Sequence, residues 1–228
     1  MNEIVAGFTT AIELIVSLDP EVIETAIRSI IISLTATFFA TLLAIPIGSV
    51  ITFSEFRGKK SLINLIQTLY ALPTVLVGLF VFLLISRAGP FGFMRLLFTP
   101  EGMIIAQAIL ILPIMVGLTI SALKGVDSTI LDTLRSLGAT RYQFMNSVVR
   151  EARYAIMAAV VLGFGRAISE VGAAIMIGGN IRGHTRVLTT AISLETSMGN
   201  LAMSIALGII LLGIALVINL MLAFVQNR

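Results

Sequence analysis

Two side chains of opposite charge stand four residues apart inside an apolar stretch of this sequence. Arg166 and Glu170 would share one face of a helix, because residues four apart are neighbours on its surface. A charged group inside a lipid bilayer is energetically costly, so such groups are usually paired or functional. The pair is predicted either to fix the packing of helices or to act on a solute, and both interpretations stay open.

A second polar set follows in the loop 178–186, where three glycines alternate with polar residues. Glycines leave backbone N–H groups accessible, and Asn180, Arg182 and Thr185 can all donate hydrogen bonds to an anion. The loop is therefore a candidate for contact with a negatively charged solute. A simple solvated turn is an equally good interpretation of the same residues.

Residue patterns typical of an enzyme are missing from the sequence. It contains no cysteine and one histidine, which argues against thiolate chemistry and against a histidine-built metal site. Phosphate-binding, dinucleotide-binding, zinc-protease and serine-hydrolase motifs are absent. We therefore predict no catalytic residue, no metal and no cofactor in this chain, so any ATP must be hydrolysed by another protein.

The composition places these polar residues in a membrane protein. Of the 228 residues, 57% are hydrophobic and 12% are charged, and the mean hydropathy is +1.05. Soluble domains contain about a quarter charged residues. This chain therefore has too little polar surface to cover a water-facing globule, and we predict an all-α integral membrane fold.

Apolar runs long enough to cross a bilayer, which takes roughly 20 helical residues, occur five times. Pro73 and Pro113 are predicted to kink the second and third of them. The predicted spans are 26–53, 62–85, 103–123, 155–177 and 201–225.

The first twenty residues are predicted to be a separate element. The segment 4–18 is apolar, but it contains Glu13 and stops at Asp19 and Pro20, so it is too short and too polar to span comfortably. We expect an interfacial helix in an N-terminal segment 1–20, followed by a transmembrane domain over 21–228. A short sixth span is the alternative.

Basic residues indicate the orientation, since lysine and arginine accumulate on the cytoplasmic side. Nine basic residues fall on one side of the five spans and four on the other. The richer side holds Arg57, Lys59, Lys60, Lys124, Arg135, Arg141, Arg150, Arg153 and Arg228, and the poorer side holds Arg87, Arg95, Arg182 and Arg186. The distribution predicts a cytoplasmic C-terminus and an N-terminus outside.

The longest polar connection, 124–154, lies on the predicted cytoplasmic side. Asp127 is suited to cap a helix, and Gly138 to end one, before a second short helix over 140–149. The second helix is predicted to expose Arg141, Tyr142, Phe144 and Met145. An aromatic, an arginine and flexible apolar groups are typical of a protein-binding surface, although a connector lying on lipid headgroups is an alternative.

This connection resembles the EAA loop of ABC importer permeases, whose pattern is Glu-Ala-Ala, three residues, then Gly. By that resemblance Asp132 takes the Glu position and Gly138 the Gly position. Thr133 and Leu134 replace the two alanines, and Arg150 and Glu151 stand where the family often has Leu-Pro.

A second stretch resembles the molybdate, sulfate and tungstate permeases within that group. The run from Arg166 to Leu188 contains Glu-Val-Gly-Ala and Gly-Asn-Ile-Arg-Gly-His-Thr, which is most similar to the tungstate permeases. The resemblance covers 26–225 and implies the type I importer architecture.

The resemblance implies a function and a set of partners. It implies a homodimer that forms one translocation pathway for tungstate or molybdate in the prokaryotic inner membrane, two cytoplasmic ATPase subunits that use ATP and Mg²⁺, and an extracytoplasmic oxyanion-binding protein. The implied ATPase-coupling residues are Asp132, Gly138, Ala139, Arg141, Tyr142, Phe144 and Met145. The candidate pathway or gate residues are Arg166, Glu170, Asn180, Arg182 and Thr185.

Two alternatives remain at this point. A permease for sulfate or another oxyanion would carry the same motifs. A proton-coupled secondary transporter, with Glu170 as the proton carrier, is more remote, because such a carrier needs no long cytoplasmic docking loop.

Overall fold

The computed structural model describes residues 2–226, and the side chains of residues 4–221. Within that range the regular structure consists of eleven α-helices and two short 3₁₀ turns, with no strand. The helices are α1 Asn2–Val16, α2 Pro20–Phe53, α3 Lys59–Thr68, α4 Thr74–Ile85, α5 Pro100–Lys124, α6 Ser128–Ser136, α7 Arg141–Glu151, α8 Arg153–Ile168, α9 Gly172–Gly178, α10 Leu188–Ser197 and α11 Leu201–Gln226.

Three helices, α2, α5 and α11, are long and apolar enough to cross a membrane. Two further candidates are bent pairs, in which α3 meets α4 at 100° and α8 meets α9 at 59°. Counting each bent pair as one span gives five. The predicted all-α membrane fold is confirmed, and the second and fourth predicted spans are each divided between two helices.

The bend between α3 and α4 is made by the backbone. Between α3 and α4 the chain passes through a 3₁₀ turn, Leu69–Ala71, and Pro73 caps the new helix. Proline lacks an N–H group and cannot continue the ladder of the preceding helix. The predicted disruption at Pro73 is a full break that includes the 3₁₀ turn as well as the proline, since a proline alone does not interrupt α5 at Pro113.

The core is built on close packing between α2 and α5. Ala36, Ala40 and Ala44 are fully buried on one face of α2, one turn apart, so the two helix backbones can approach closely. Farther along, Gly48 faces Thr119 of α5, and a Cβ atom at position 48 would lie 2.8 Å from the Thr119 methyl group. Small residues on α2 thus determine the position of α5 and of the helices that pack on it.

Helices α1 and α10 flank this core near the N-terminal end of α2. The predicted N-terminal helix is present, and it packs along α11, where Gly7 contacts Ile205. Its location in the membrane interface stays a prediction. Helix α10 was not predicted, and it joins a second apolar cluster in which Leu188 is fully buried beside Val22 and Leu207.

The outward faces of the helices differ in side-chain size. The exposed face of α2 is bulky and apolar, with Ile31, Phe38 and Leu42 each more than half exposed. The exposed face of α8 has fewer bulky side chains: Ala155 and Ala158 and the C-cap Ser169 are exposed there, together with the larger Tyr154 and Leu162. A bulky apolar face suits contact with lipid tails, whereas a face of small residues offers less apolar side-chain surface for such contact.

Candidate functional sites

The intramembrane charges meet at the bend between α8 and α9. Arg166 Nη1 donates to Glu170 Oε2 at 3.0 Å, so the expected ion pair is present. The pair does not lie on one helix, because α8 ends at Ile168 and Glu170 occupies the break. The Glu170 side chain is 1% exposed and the Arg166 side chain 33% exposed.

Besides pairing with Arg166, Glu170 stabilises the bend itself. Its Oε1 accepts the backbone N–H of Ala173 in the first turn of α9 at 2.9 Å. Its own carbonyl accepts the hydroxyl of Thr189 from α10 at 2.7 Å. Both carboxylate oxygens therefore have a donor, as a carboxylate buried away from water requires.

The loop 178–186 uses most of its polar side chains to hold its own shape. Thr185 is fully buried; its Oγ1 accepts from the N–H of Ile181 at 3.0 Å and donates to the carbonyl of Gly178. Asn180 is bonded through both side-chain atoms to Thr190, at 2.8 and 3.3 Å. The donors predicted for an anion at these two positions are occupied within the protein.

The two arginines of this loop reach across to the start of α2. Arg182 and Arg186 both pair with Glu21, Arg186 at 3.3 Å. Arg28, which pairs with Glu24, also donates to the carbonyl of Arg186 at 3.1 Å. Exposed ion pairs contribute about 1 kcal/mol or less each, so this network orients the loop more than it stabilises the fold.

The connection 124–154, which is predicted to be cytoplasmic, contains two short helices joined at Gly138. Asp127 caps α6 by accepting from the N–H of Thr129 at 2.7 Å, and this hydrogen bond lowers the pKa of the Asp127 carboxyl. Gly138 has φ +70°, a left-handed conformation that non-glycine residues rarely adopt. Thr140 and Gln143 then form a capping box that starts α7.

The exposed surface of this loop differs from the predicted one. Phe144 is half-buried, because its ring packs edge-on against Phe53 at the end of α2, with ring centroids 5.2 Å apart. Met145 is also half-buried, so the prediction that these two residues are exposed is wrong. Tyr142 is 79% exposed, and Leu137, which sequence reasoning missed, is 78% exposed. A leucine directly before a helix-ending glycine was the signal that could have identified it.

A further contact attaches this loop to the end of α2, and others hold its two helices together. Arg141 donates to the hydroxyl of Ser54, just after α2, at 2.7 Å, and the guanidinium of Arg135 lies 5.5 Å from the centre of the Phe144 ring. Asp132 pairs with Arg135 at 3.0 Å on the exposed side of α6, and Ala139 is half-buried beyond Gly138. Leu137 and Tyr142 therefore lie on a segment that is attached to the end of α2.

Comparison with known proteins shows which protein family has this architecture. Residues 40–228 match the family described as binding-protein-dependent transport system inner membrane component. The chain belongs to this family. It is a multi-pass membrane permease subunit of an ABC importer, and a binding protein and an ATPase are partners of such a permease.

Three related permeases differ in how similar they are to this chain. The permease is 45% identical to the tungstate uptake system permease protein TupB of Peptoclostridium acidaminophilum, over the full length of both chains. It is 35% identical to TupB of Campylobacter jejuni, with 96% of this chain and 92% of the relative covered. The molybdenum transport permease ModB of Escherichia coli is 29% identical, over 72% of this chain and 77% of the relative.

Solved structures agree on the fold. A chain of the methionine ABC transporter MetNI, in an inward-facing conformation, superposes with a TM-score of 0.69 at 13% identity and covers 93% of this chain and 95% of its own. A bacterial ABC importer of the polysaccharide alginate gives 0.67 at 20% identity, covering 89% and 79%. The type I importer architecture is confirmed, and the relatives are transport subunits rather than enzymes. The proton-coupled carrier is therefore not supported.

Proposed function

We propose that this permease imports tungstate across the cytoplasmic membrane, driven by ATP hydrolysis in a separate ATPase. The observation that carries the proposal is the match to a tungstate uptake permease along the whole chain at 45% identity. The molybdenum permease is less similar and matches a smaller part of the chain. Molybdate, and then sulfate or another oxyanion, are the alternative substrates.

The proposed assembly has a homodimer of this chain at its centre. Two ATPase subunits bind on the cytoplasmic side and use ATP and Mg²⁺, an oxyanion-binding protein docks outside, and this chain itself holds no cofactor. The distribution of basic residues supports a cytoplasmic C-terminus and an N-terminus outside. Arg228, counted in that distribution, lies outside the described residues.

The cytoplasmic loop is proposed to contact the ATPase. Support comes from the two large exposed side chains on either side of the Gly138 turn, Leu137 and Tyr142, and from the attachment of α7 to α2 through Phe144. Large, rigid side chains beside a tight turn form a compact surface that suits a groove on a partner. The proposed coupling residues remain Asp132, Gly138, Ala139, Arg141, Tyr142, Phe144 and Met145.

Uptake of labelled tungstate tests the substrate and the energy source together. The permease, its ATPase and its binding protein are reconstituted in vesicles with ATP supplied and the proton gradient collapsed. We expect ATP-dependent uptake that unlabelled molybdate and sulfate compete with less well than unlabelled tungstate. Stronger competition by molybdate or sulfate would show that this oxyanion, and not tungstate, is the substrate. Uptake that does not depend on ATP would overturn the proposal.

Substitution of Gly138 tests the coupling segment. Gly138→Val forces a β-branched residue into a left-handed conformation, so the turn must change shape and ATP-driven uptake should be lost, while insertion into the membrane persists. Gly58→Val is the matched control, because Gly58 also has a positive φ and open space around it, in the neighbouring cytoplasmic turn. Equal uptake by the two variants would remove the coupling assignment.

A further inference from the structure

Arg166 is placed deep in the membrane-spanning part of the permease. At 1.5 Å per residue, the thirteen residues from Arg153 to Arg166 in α8 cover about 20 Å. The hydrocarbon layer is about 30 Å thick, so a helix that begins at the cytoplasmic interface brings Arg166 well inside it. The exposed third of this side chain therefore lies at a depth where lipid is a poor solvent for a charge.

The exposed face of α8 around Arg166 has fewer bulky apolar side chains than a lipid-type face. Apart from Leu162, one turn before Arg166, the exposed residues near it at helical spacing are small or polar, among them Ala158 and Ser169. Gly165, beside it, has no atom within 4 Å of where a Cβ would lie. The bulky faces of α2 and α11, with Phe38 at 63% and Leu212 at 71% exposure, are the contrasting lipid-type surfaces.

The hydrogen bonding of the pair leaves the guanidinium able to bind something else. Glu170 has both carboxylate oxygens occupied, by Arg166 and by the N–H of Ala173. Within the described residues, the guanidinium of Arg166 has one hydrogen-bond partner, Glu170, although a guanidinium presents several N–H donors in a planar fork. One third of the side chain is exposed, so donors remain accessible.

The other candidate pathway residues do not combine these features. Asn180 and Thr185 use their side-chain groups inside the loop 178–186. Arg182, which pairs with Glu21, lies in that loop and not in a helix. Arg166 therefore differs from them in combining membrane depth, positive charge and unoccupied donors.

We infer that Arg166 lines the translocation pathway and binds the passing oxyanion through its free N–H groups, with Glu170 as the positioning residue that holds the guanidinium in place. The inference rests on the proposed function, since it takes the solute to be an oxyanion. Tungstate, molybdate and sulfate are tetrahedral dianions, and arginine suits such groups because its donors match two oxygens at once. A two-fold axis along the pathway brings the same residue from both copies to it, so a dianion meets two guanidinium groups.

A thiol introduced at this position tests the inference, because the chain has no cysteine of its own. In the assembled complex, Arg166→Cys should lower tungstate uptake by about tenfold or more, as expected for loss of a hydrogen bond to a charged group. Binding-protein-stimulated ATP hydrolysis should persist, since the docking surfaces are untouched. A cationic aminoethyl thiosulfonate reagent should restore part of the uptake, and an anionic sulfonatoethyl reagent should not.

The matched control is a thiol on a lipid-type face. Phe38→Cys places it on the bulky exposed face of α2, where the reactive thiolate does not form in hydrocarbon, so neither reagent should modify it. Modification at position 166 but not at position 38 supports a water-filled pathway at Arg166. No modification at position 166, or equal rescue by both reagents, overturns the inference.

A paired substitution guards against loss of folding. Arg166→Gln together with Glu170→Gln removes both charges, leaves no unpaired carboxylate, and keeps an acceptor for the Ala173 N–H. Normal uptake by this variant overturns the inference. The unsubstituted permease is measured in parallel. If it carries another oxyanion instead of tungstate, the proposed substrate is wrong. The assays at position 166 are then repeated with that oxyanion, so the inference about Arg166 is tested separately.

Discussion

The two bent spans of this permease are built in different ways. The bend between α3 and α4 is made by the backbone, through a 3₁₀ turn and Pro73, and it is surrounded by apolar residues and Tyr70. The bend between α8 and α9 contains no proline, and a buried carboxylate, Glu170, lies in the break and accepts a hydrogen bond from the first turn of the second helix. A proline bend shapes a span, whereas a carboxylate bend also brings charge into the membrane and places Arg166 at its surface.

The largest expected effect is at the carboxylate bend. Glu170→Ala leaves Arg166 without its partner and the N–H of Ala173 without its acceptor, so it should lower the free energy of unfolding by about 3 kcal/mol or more. Denaturant unfolding of the purified permease in detergent measures the loss. Glu170→Gln retains an acceptor for Ala173 and should cost less; an equal cost would mean that the hydrogen bond to α9 contributes nothing to the bend.

A smaller effect is expected where the proline bend packs on α5. The hydroxyl of Tyr70 lies against Gly117, where no Cβ atom fits. Gly117→Ala should therefore push Tyr70 and the bend away from α5 and destabilise the permease by about 2 kcal/mol, as overpacking does. Thermal unfolding in detergent measures this change. Tyr70→Phe in the same chain removes the nearest atom and should recover part of the loss, and an unchanged Gly117→Ala variant would contradict this packing.

The smallest effect is expected at Pro73 itself. Pro73→Ala should change the free energy of unfolding by less than about 1 kcal/mol, mainly through the unfolded chain. The bend should persist, because the N–H groups of Leu76 and Val77 still bond to the carbonyl of residue 73 and Tyr70 still packs on α5. Spin labels at Leu65→Cys and Leu79→Cys measure the distance across the bend. A longer distance in the Pro73→Ala chain would show that the proline alone maintains it.

Several elements could be predicted from local sequence because their causes are local. Asp127 caps α6, Gly138 ends that segment in a left-handed conformation, and Thr140 with Gln143 starts α7. Capping depends on residues within one helical turn, so the sequence contains the necessary information. The long apolar runs predicted the spans for the same reason, since a span requires only length and hydropathy.

Other features required contacts between distant residues. Phe144 was predicted to be exposed, but Phe53, ninety-one positions away, covers it. Asn180 and Thr185 were predicted to offer donors to an anion, but Asn180 donates to the carbonyl of Thr190 and Thr185 to the carbonyl of Gly178. A pattern of residue types shows which side chains can donate hydrogen bonds, and the tertiary neighbours decide whether those donors are free.

The sequence by itself determined that this chain is a helical membrane protein, because hydropathy, basic residues and helix caps act through composition and local spacing. Its motifs also indicated an oxyanion importer, and the family comparison confirmed the importer class. Only the tertiary structure decided where the fourth span breaks, and which of its charges is buried and which is exposed. Burial and hydrogen bonding of Glu170 depend on contacts among helices α8, α9 and α10. A local sequence pattern does not specify such contacts between separate helices.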